Sequence, residues 1–198
     1  VVDTALTEKE ISLTLRSPLV KRKLLTKMVI APKNLVTLDL KSENDKEIIS
    51  ANLYGIKVNG ILLKAKPSNQ SCLRIYVQGH GGYPHDFDYY NELQDFFVIE
   101  GCDFLTLSML GTSSNKGSAQ IPTLFGKLEM NSNQASQHGN YSFFFDKNYP
   151  QLDPLSVFLS PHYYIIESLK SQYNDIALMG ISGGGWYTVW LSALIPEI

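Results

Sequence analysis

The sequence predicts an α/β fold: a parallel central sheet with flanking helices, preceded by N-terminal helices and a β-ribbon. Three observations predict it. Short apolar runs alternate with helix-like stretches from residue 73 to residue 195, the rhythm of parallel strands joined by crossover helices. A glycine-flanked serine, Gly180-Ile181-Ser182-Gly183-Gly184-Gly185, sits between one apolar run and the next helix-like stretch. The composition is globular, with 44% apolar and 18% charged residues in 198, a length that suits one domain with a sizeable core.

Residues 1–47 read as a lead-in. Apolar positions at mixed spacing over 8–30 predict one or two short helices, broken near Pro18, with Lys21, Arg22, Lys23 and Lys27 on a solvated face. Residues 35–40 alternate and predict a strand. Residues 48–54 and 56–66 read as the β-ribbon, with Asn59-Gly60 as a two-residue turn inside it. Residues 73–78 form the next strand, which ends in Gly79-His80-Gly81-Gly82. Asp88 caps a helix over 89–100, and 104–110 is another strand. A helix follows over 160–173, with Pro161 in its first turn and Tyr164, Ile165 and Leu169 towards the core. Residues 176–179 give the third central strand. The last helix, 186–194, carries Trp186 and Trp190 four apart on one face, a spacing that reads as core packing.

One stretch breaks the rhythm. Residues 111–159 are rich in Ser, Asn, Gln and Gly, with aromatics at Phe143, Phe144 and Phe145. They are long for a connection, which predicts an insertion or lid loop within a single domain spanning 1–198.

Several functions are excluded or unsupported. A net charge of −2 leaves no basic footprint for nucleic acid. No apolar run reaches the roughly 18 residues of a membrane span. The chain starts at Val1 and shows no charged-then-apolar leader, a reading that leaves the compartment open. Cys72 and Cys102, 30 apart, fit no metal spacing and read as two buried free thiols, whereas a disulfide between them would imply export. His85 with Asp86 and Asp88 has no partner cluster for a metal and reads as exposed polar groups at a helix start. Gly79–Gly82 lack the third glycine of a dinucleotide fingerprint.

The glycine-flanked serine carries the chemistry. Strand, G-x-S-x-G and helix in that order make a nucleophile elbow, a turn sharp enough to push a hydroxyl out above the sheet. Gly180 and Gly184 hold the positions where side chains would collide. A serine hydroxyl is a poor nucleophile at neutral pH and needs a base, an acid behind it, and donors for the oxyanion. The Gly183 N–H is one donor at a helix N-terminus. The second comes from Gly79-His80-Gly81-Gly82. In one register Gly82 donates its N–H, in the other His80 does, and the site set is therefore Ser182 with Gly183, His80, Gly81 and Gly82.

On these two motifs the chain resembles an α/β-hydrolase over residues 48–198. In that family a His-Gly segment follows the third strand and G-x-S-x-G the fifth. The ribbon before the glycine loop resembles that of acetyl-esterase-like and dienelactone-hydrolase-like members. The family order is Ser, then Asp or Glu, then His. Only sixteen residues follow Ser182, with Glu197 the sole acid and no histidine. His80, His85, His138 and His162 all precede the serine. The 198 residues therefore read as the N-terminal part of a larger hydrolase, with its catalytic acid and histidine beyond residue 198; the alternative is a degenerate protein.

The resemblance implies serine-dependent hydrolysis of a small-molecule carboxylic ester, acetyl esters included, through an acyl-enzyme and without metal or organic cofactor. A prolyl-oligopeptidase-like peptidase shares the elbow, and a non-catalytic binding protein on the same fold is the reading from a different class. The sequence carries no signal of oligomeric state.

Overall fold

A computed structural model describes residues 18–44, 46–53, 55–66, 71–80, 83–112, 115, 119–123, 126–130 and 154–198. The bulk of the predicted 111–159 insertion, the segment before Pro18, and Gly81, Gly82 and His138 lie outside them.

Among the described residues, six strands form one mixed sheet in the order β1-β2-β3-β5-β4-β8. Strands β1 (Val36–Glu43), β2 (Lys46–Leu53) and β3 (Ile56–Leu63) make an antiparallel meander. It joins β5 (Asp103–Ser108) antiparallel through β3. Strand β4 (Cys72–Gln78) lies parallel between β5 and β8 (Asp175–Gly180). Strands β6 (Ala119–Thr123) and β7 (Gly126–Met130) pair as a separate hairpin within the stretch read as an insertion. The ribbon expected ahead of the sheet is thus part of it.

Side-chain alternation along the strands sets the two faces. Leu73, Ile75 and Val77 of β4 and Leu105 and Leu107 of β5 enter one core with helices α1 (Pro18–Val29), α3 (Pro154–Leu169) and α4 (Gly183–Leu194). Tyr76 and Phe104 face the other way and pack with Tyr90 of α2 (Asp88–Ile99). That period of two lets helices cover both faces, as the sequence predicts.

Three local expectations change. Asn59-Gly60 is not a turn: Gly60 lies inside β3, opposite Ile49 and Leu107, and the reversal passes through Gly55 at φ 87°. A β-carbon at Gly60 would lie 3.0 Å from Leu107 Cδ2, 3.1 Å from Leu105 Cδ1 and 3.4 Å from Ile165 Cγ2. The glycine serves close packing of α3 on the sheet, not chain reversal.

The helix expected over 160–173 begins at Pro154 instead, which leaves Pro161 inside it. An internal proline costs about 3 kcal/mol. Burial of Val157, Phe158 and Leu159, at most 8% exposed, offsets that, since each fully buried side chain contributes about 1.5–3 kcal/mol.

Cys72 and Cys102 are not free thiols but a disulfide, with Cα atoms 4.9 Å apart. Leu73 and Asp103 are register partners in the β4–β5 ladder, so the preceding cysteines stand side by side. The separation of 30 residues is one crossover through α2. Asp103 at this same end is buried and accepts from the Ala65 N–H at 2.9 Å, the Tyr173 hydroxyl at 2.6 Å and Lys64 Nζ at 3.0 Å.

Candidate active site

The three parallel strands β5, β4 and β8 deliver their C-terminal ends to one rim of the sheet. Ligands of open α/β sheets bind at such ends. Strand β4 runs out into Gly79 and His80, β5 into Met109–Thr112, and β8 into the serine turn.

Ser182 sits at the junction of β8 and α4 with φ 55° and ψ −124°. A non-glycine residue there is strained by about 1–3 kcal/mol and persists only where its surroundings enforce it. They do so here. The Gly184 N–H donates to Ile181 O at 2.8 Å and the Gly185 N–H to Ser182 O at 3.0 Å. Thr188 Oγ1 donates to Gly184 O at 2.9 Å. A β-carbon on Gly180 would lie 2.5 Å from Gly184 O, and one on Gly184 would run into the Val77 carbonyl. Glycine at both positions lets strand and helix close on each other, and Ser182 is left exposed at the apex.

Gly79 lies against the same turn. A side chain there would approach Ile181 O to 2.6 Å and both Gly183 N and Ser182 Cβ to 3.0 Å. The glycine loop predicted as the second oxyanion element therefore starts beside the serine. His80 follows it, exposed, with its ring on the flank of Gly183. A β-carbon on Gly183 would be 3.0 Å from His80 Nδ1 and Cε1 and would collide with Met109 Sδ. Gly183 opens α4, so its N–H belongs to the first turn, which has no acceptor within the helix.

The other two described histidines, His85 and His162, are elsewhere. His85 is exposed, 3.6 Å from Asp86, and stacks on Tyr83. His162 is fully buried in α3, its Nδ1 3.1 Å from Phe158 O and its Nε2 2.9 Å from Ser108 O. Burial depresses its pKa to about 4, although the two carbonyl contacts oppose that. His85 and His162 are thus engaged by partners other than Ser182.

Sequence reasoning missed the residues that brace the rim. Thr112 Oγ1 donates to Met109 O at 3.0 Å and reaches Gly79 O at 3.4 Å. Asn115 Nδ2 donates to Ser108 O at 2.5 Å, while its Oδ1 accepts from the Asn59 N–H at 2.8 Å. Both were absorbed into the polar stretch after β5. Their burial depends on the fold, and the sequence carries no signal of it. Trp186 also differs from expectation: Trp190 packs against the core, but Trp186 is 40% exposed.

No protein-family model matches the chain, and a search of curated proteins finds no match. Solved structures do match. Two structures of a glucuronoyl esterase from Solibacter usitatus superpose with TM-scores of 0.51 and 0.53 at 10% identity, covering 98% of this chain and 58% of theirs. An acetyl xylan esterase from Paenibacillus sp. R4 superposes with a TM-score of 0.42 at 16% identity, covering 89% of this chain and 54% of that one. The chain thus spans a little over half the length of these neighbours. The likeness to the Solibacter enzyme is one of fold: this chain has the architecture of a little over half of that structure.

Proposed function

We propose that these residues are the nucleophile-bearing part of a serine hydrolase that cleaves carboxylic esters. One observation carries the reading: Ser182 stands exposed at a strained positive φ between a parallel strand and a helix, with glycines wherever a side chain would block the turn.

In the proposed reaction Ser182 Oγ attacks the ester carbonyl carbon. The hydroxyl proton passes to a histidine, and the carbonyl oxygen becomes an oxyanion. The Gly183 N–H and an N–H of the 79–82 loop, from His80 or Gly82 according to register, hold that oxyanion, with Gly81 giving the loop its close approach. Loss of one such donor costs about 3–4 kcal/mol in the transition state. The tetrahedral intermediate collapses, the C–O bond to the alcohol breaks, and the histidine returns the proton to the leaving oxygen. Water then cleaves the acyl-serine by the same route. The histidine and its acid come from outside these residues, which fits a chain spanning about 58% of the Solibacter esterase. The buried Cys72–Cys102 bridge supports an oxidising compartment, where such bonds persist.

The test is turnover of p-nitrophenyl acetate by the naturally made protein. Ser182→Ala should lower it by at least about a thousandfold. Retained turnover excludes the assignment. An amide panel run alongside separates esterase from peptidase.

A further inference from the structure

We propose that strand β1 is a pairing edge for a second copy of this chain, joined antiparallel about a twofold axis at Leu40. The inference is independent of the serine chemistry. Strand β1 lies at one edge of the sheet, and β8, which leads into the serine turn, lies at the other.

Among the described residues β1 pairs only with β2. Its ladder runs unbroken from Val36 opposite Leu53 to Glu43 opposite Lys46, so no bulge kinks it. The strand holds no proline or glycine. After Val36 every residue is exposed, including Leu38 at 40% and Leu40 at 60%. The free N–H and C=O groups of a long, flat edge strand are a template for another strand. Proteins blunt such edges with bulges, prolines or lysines. The one lysine in mid-strand, Lys41, is balanced here by Asp39.

The hairpin fixes which backbone groups are free. Only residues 44 and 45 separate Glu43 from Lys46, and Asn44 has φ 56°, the left-handed conformation of a two-residue turn. Such a turn closes on a hydrogen-bonded pair. Glu43, Lys41, Asp39 and Thr37 therefore bond towards β2, and Leu38, Leu40 and Ser42 point their N–H and C=O outwards.

The outward set complements itself. With Leu40 opposite its own counterpart, Leu38 meets Ser42 of the second copy, and outward groups meet outward groups. Asp39 then stands opposite Lys41 of the second copy, and Lys41 opposite Asp39 of the second copy. These are non-hydrogen-bonded positions, where Cα atoms approach to about 4.5 Å and opposed charges attract. A shift of two residues in one direction sets Asp39 against its counterpart. The same shift in the other direction sets Lys41 against its own. Charge thus selects both the partner and the register. Leu38 and Leu40 share one face by the period of two. There Leu38 lines a groove of about 500 Å³ with Ile30, Tyr163 and Tyr164. Pairing gathers the leucines of both copies on that face and takes apolar surface out of water.

The experiment is sedimentation velocity on the naturally made protein over about 1–100 μM, because one strand pair makes an interface below standard size and associates weakly. Wild type should pass from monomer to dimer as concentration rises. Asp39→Lys and Lys41→Asp should each raise the dimer Kd about tenfold, since each places like charges opposite at two positions. An equimolar mixture of the two variants should dimerise as wild type does, because every opposed pair then differs in sign. Leu40→Pro removes an outward N–H that β2 does not use and should leave monomer with unchanged far-UV circular dichroism. Should that variant misfold, the charge exchanges decide alone. Wild type that stays monomeric throughout overturns the proposal. So does a dimer indifferent to the charge exchanges, or a mixture that fails to recover.

Discussion

At the residue scale, the serine turn is a matter of missing β-carbons. Gly184→Ala drives a methyl into the Val77 carbonyl, backbone that cannot rotate away. The expected loss is about 3 kcal/mol, the upper part of the usual overpacking range, measurable by urea denaturation. Gly185→Ala is the control. Its β-carbon would meet only Gly180 O, at 3.6 Å, an ordinary contact, and alanine is the better helix former. Stability should hold or rise by up to about 1 kcal/mol. If both substitutions cost the same, the steric account of the turn is wrong. This part of the molecule was legible in the sequence because the constraint is local: strand, serine turn and helix lie within twenty residues. The supports of the turn were not. Met109, Thr112 and Asn115 act across sequence gaps, and nothing in their own neighbourhood announces it.

At the scale of elements, the β4–β5 pair is tied at one end by the Cys72–Cys102 bridge and at the other opens onto the site. Closing a loop of 30 residues restricts the unfolded chain by about 3–4 kcal/mol. Cys72→Ala with Cys102→Ala should lower unfolding stability by that order, read as a shift in denaturation midpoint. The serine turn, at the far end of β4 and β8, should keep its reactivity under native conditions. A double variant as stable as wild type would contradict the assigned bridge. Spacing alone could not reveal the disulfide, since pairing depends on strand register, and register is set by packing. The same limit explains Gly60 and Pro161. Asn-Gly is a strong turn signal in isolation, and an internal proline normally ends a helix. Burial against Leu105, Leu107 and Ile165 in the first case, and of the residues before Pro161 in the second, outweighed those preferences.

At the scale of the whole molecule, α/β class, helices on both faces and three parallel central strands all followed from hydrophobic rhythm. The union of ribbon and sheet into one mixed layer did not. That layer is anchored from within by His162, whose ring bridges α3 to the end of β5 through Ser108 O. Its folded pKa is depressed to about 4 by burial, from 6.5. The unfolded chain therefore takes up this proton first, and stability falls as pH drops from about 6.5 towards 4. The contribution lost is about 3 kcal/mol. His162→Gln should be less stable at pH 7 but show a shallower decline between pH 7 and 4.5. An identical slope would show that His162 does not titrate as its burial requires. The most direct test of the central claim maps the adduct of a fluorophosphonate on the naturally made protein by peptide mass spectrometry. The account predicts a single adduct on Ser182, absent in Ser182→Ala. An adduct on another residue, or none on active protein, would contradict it.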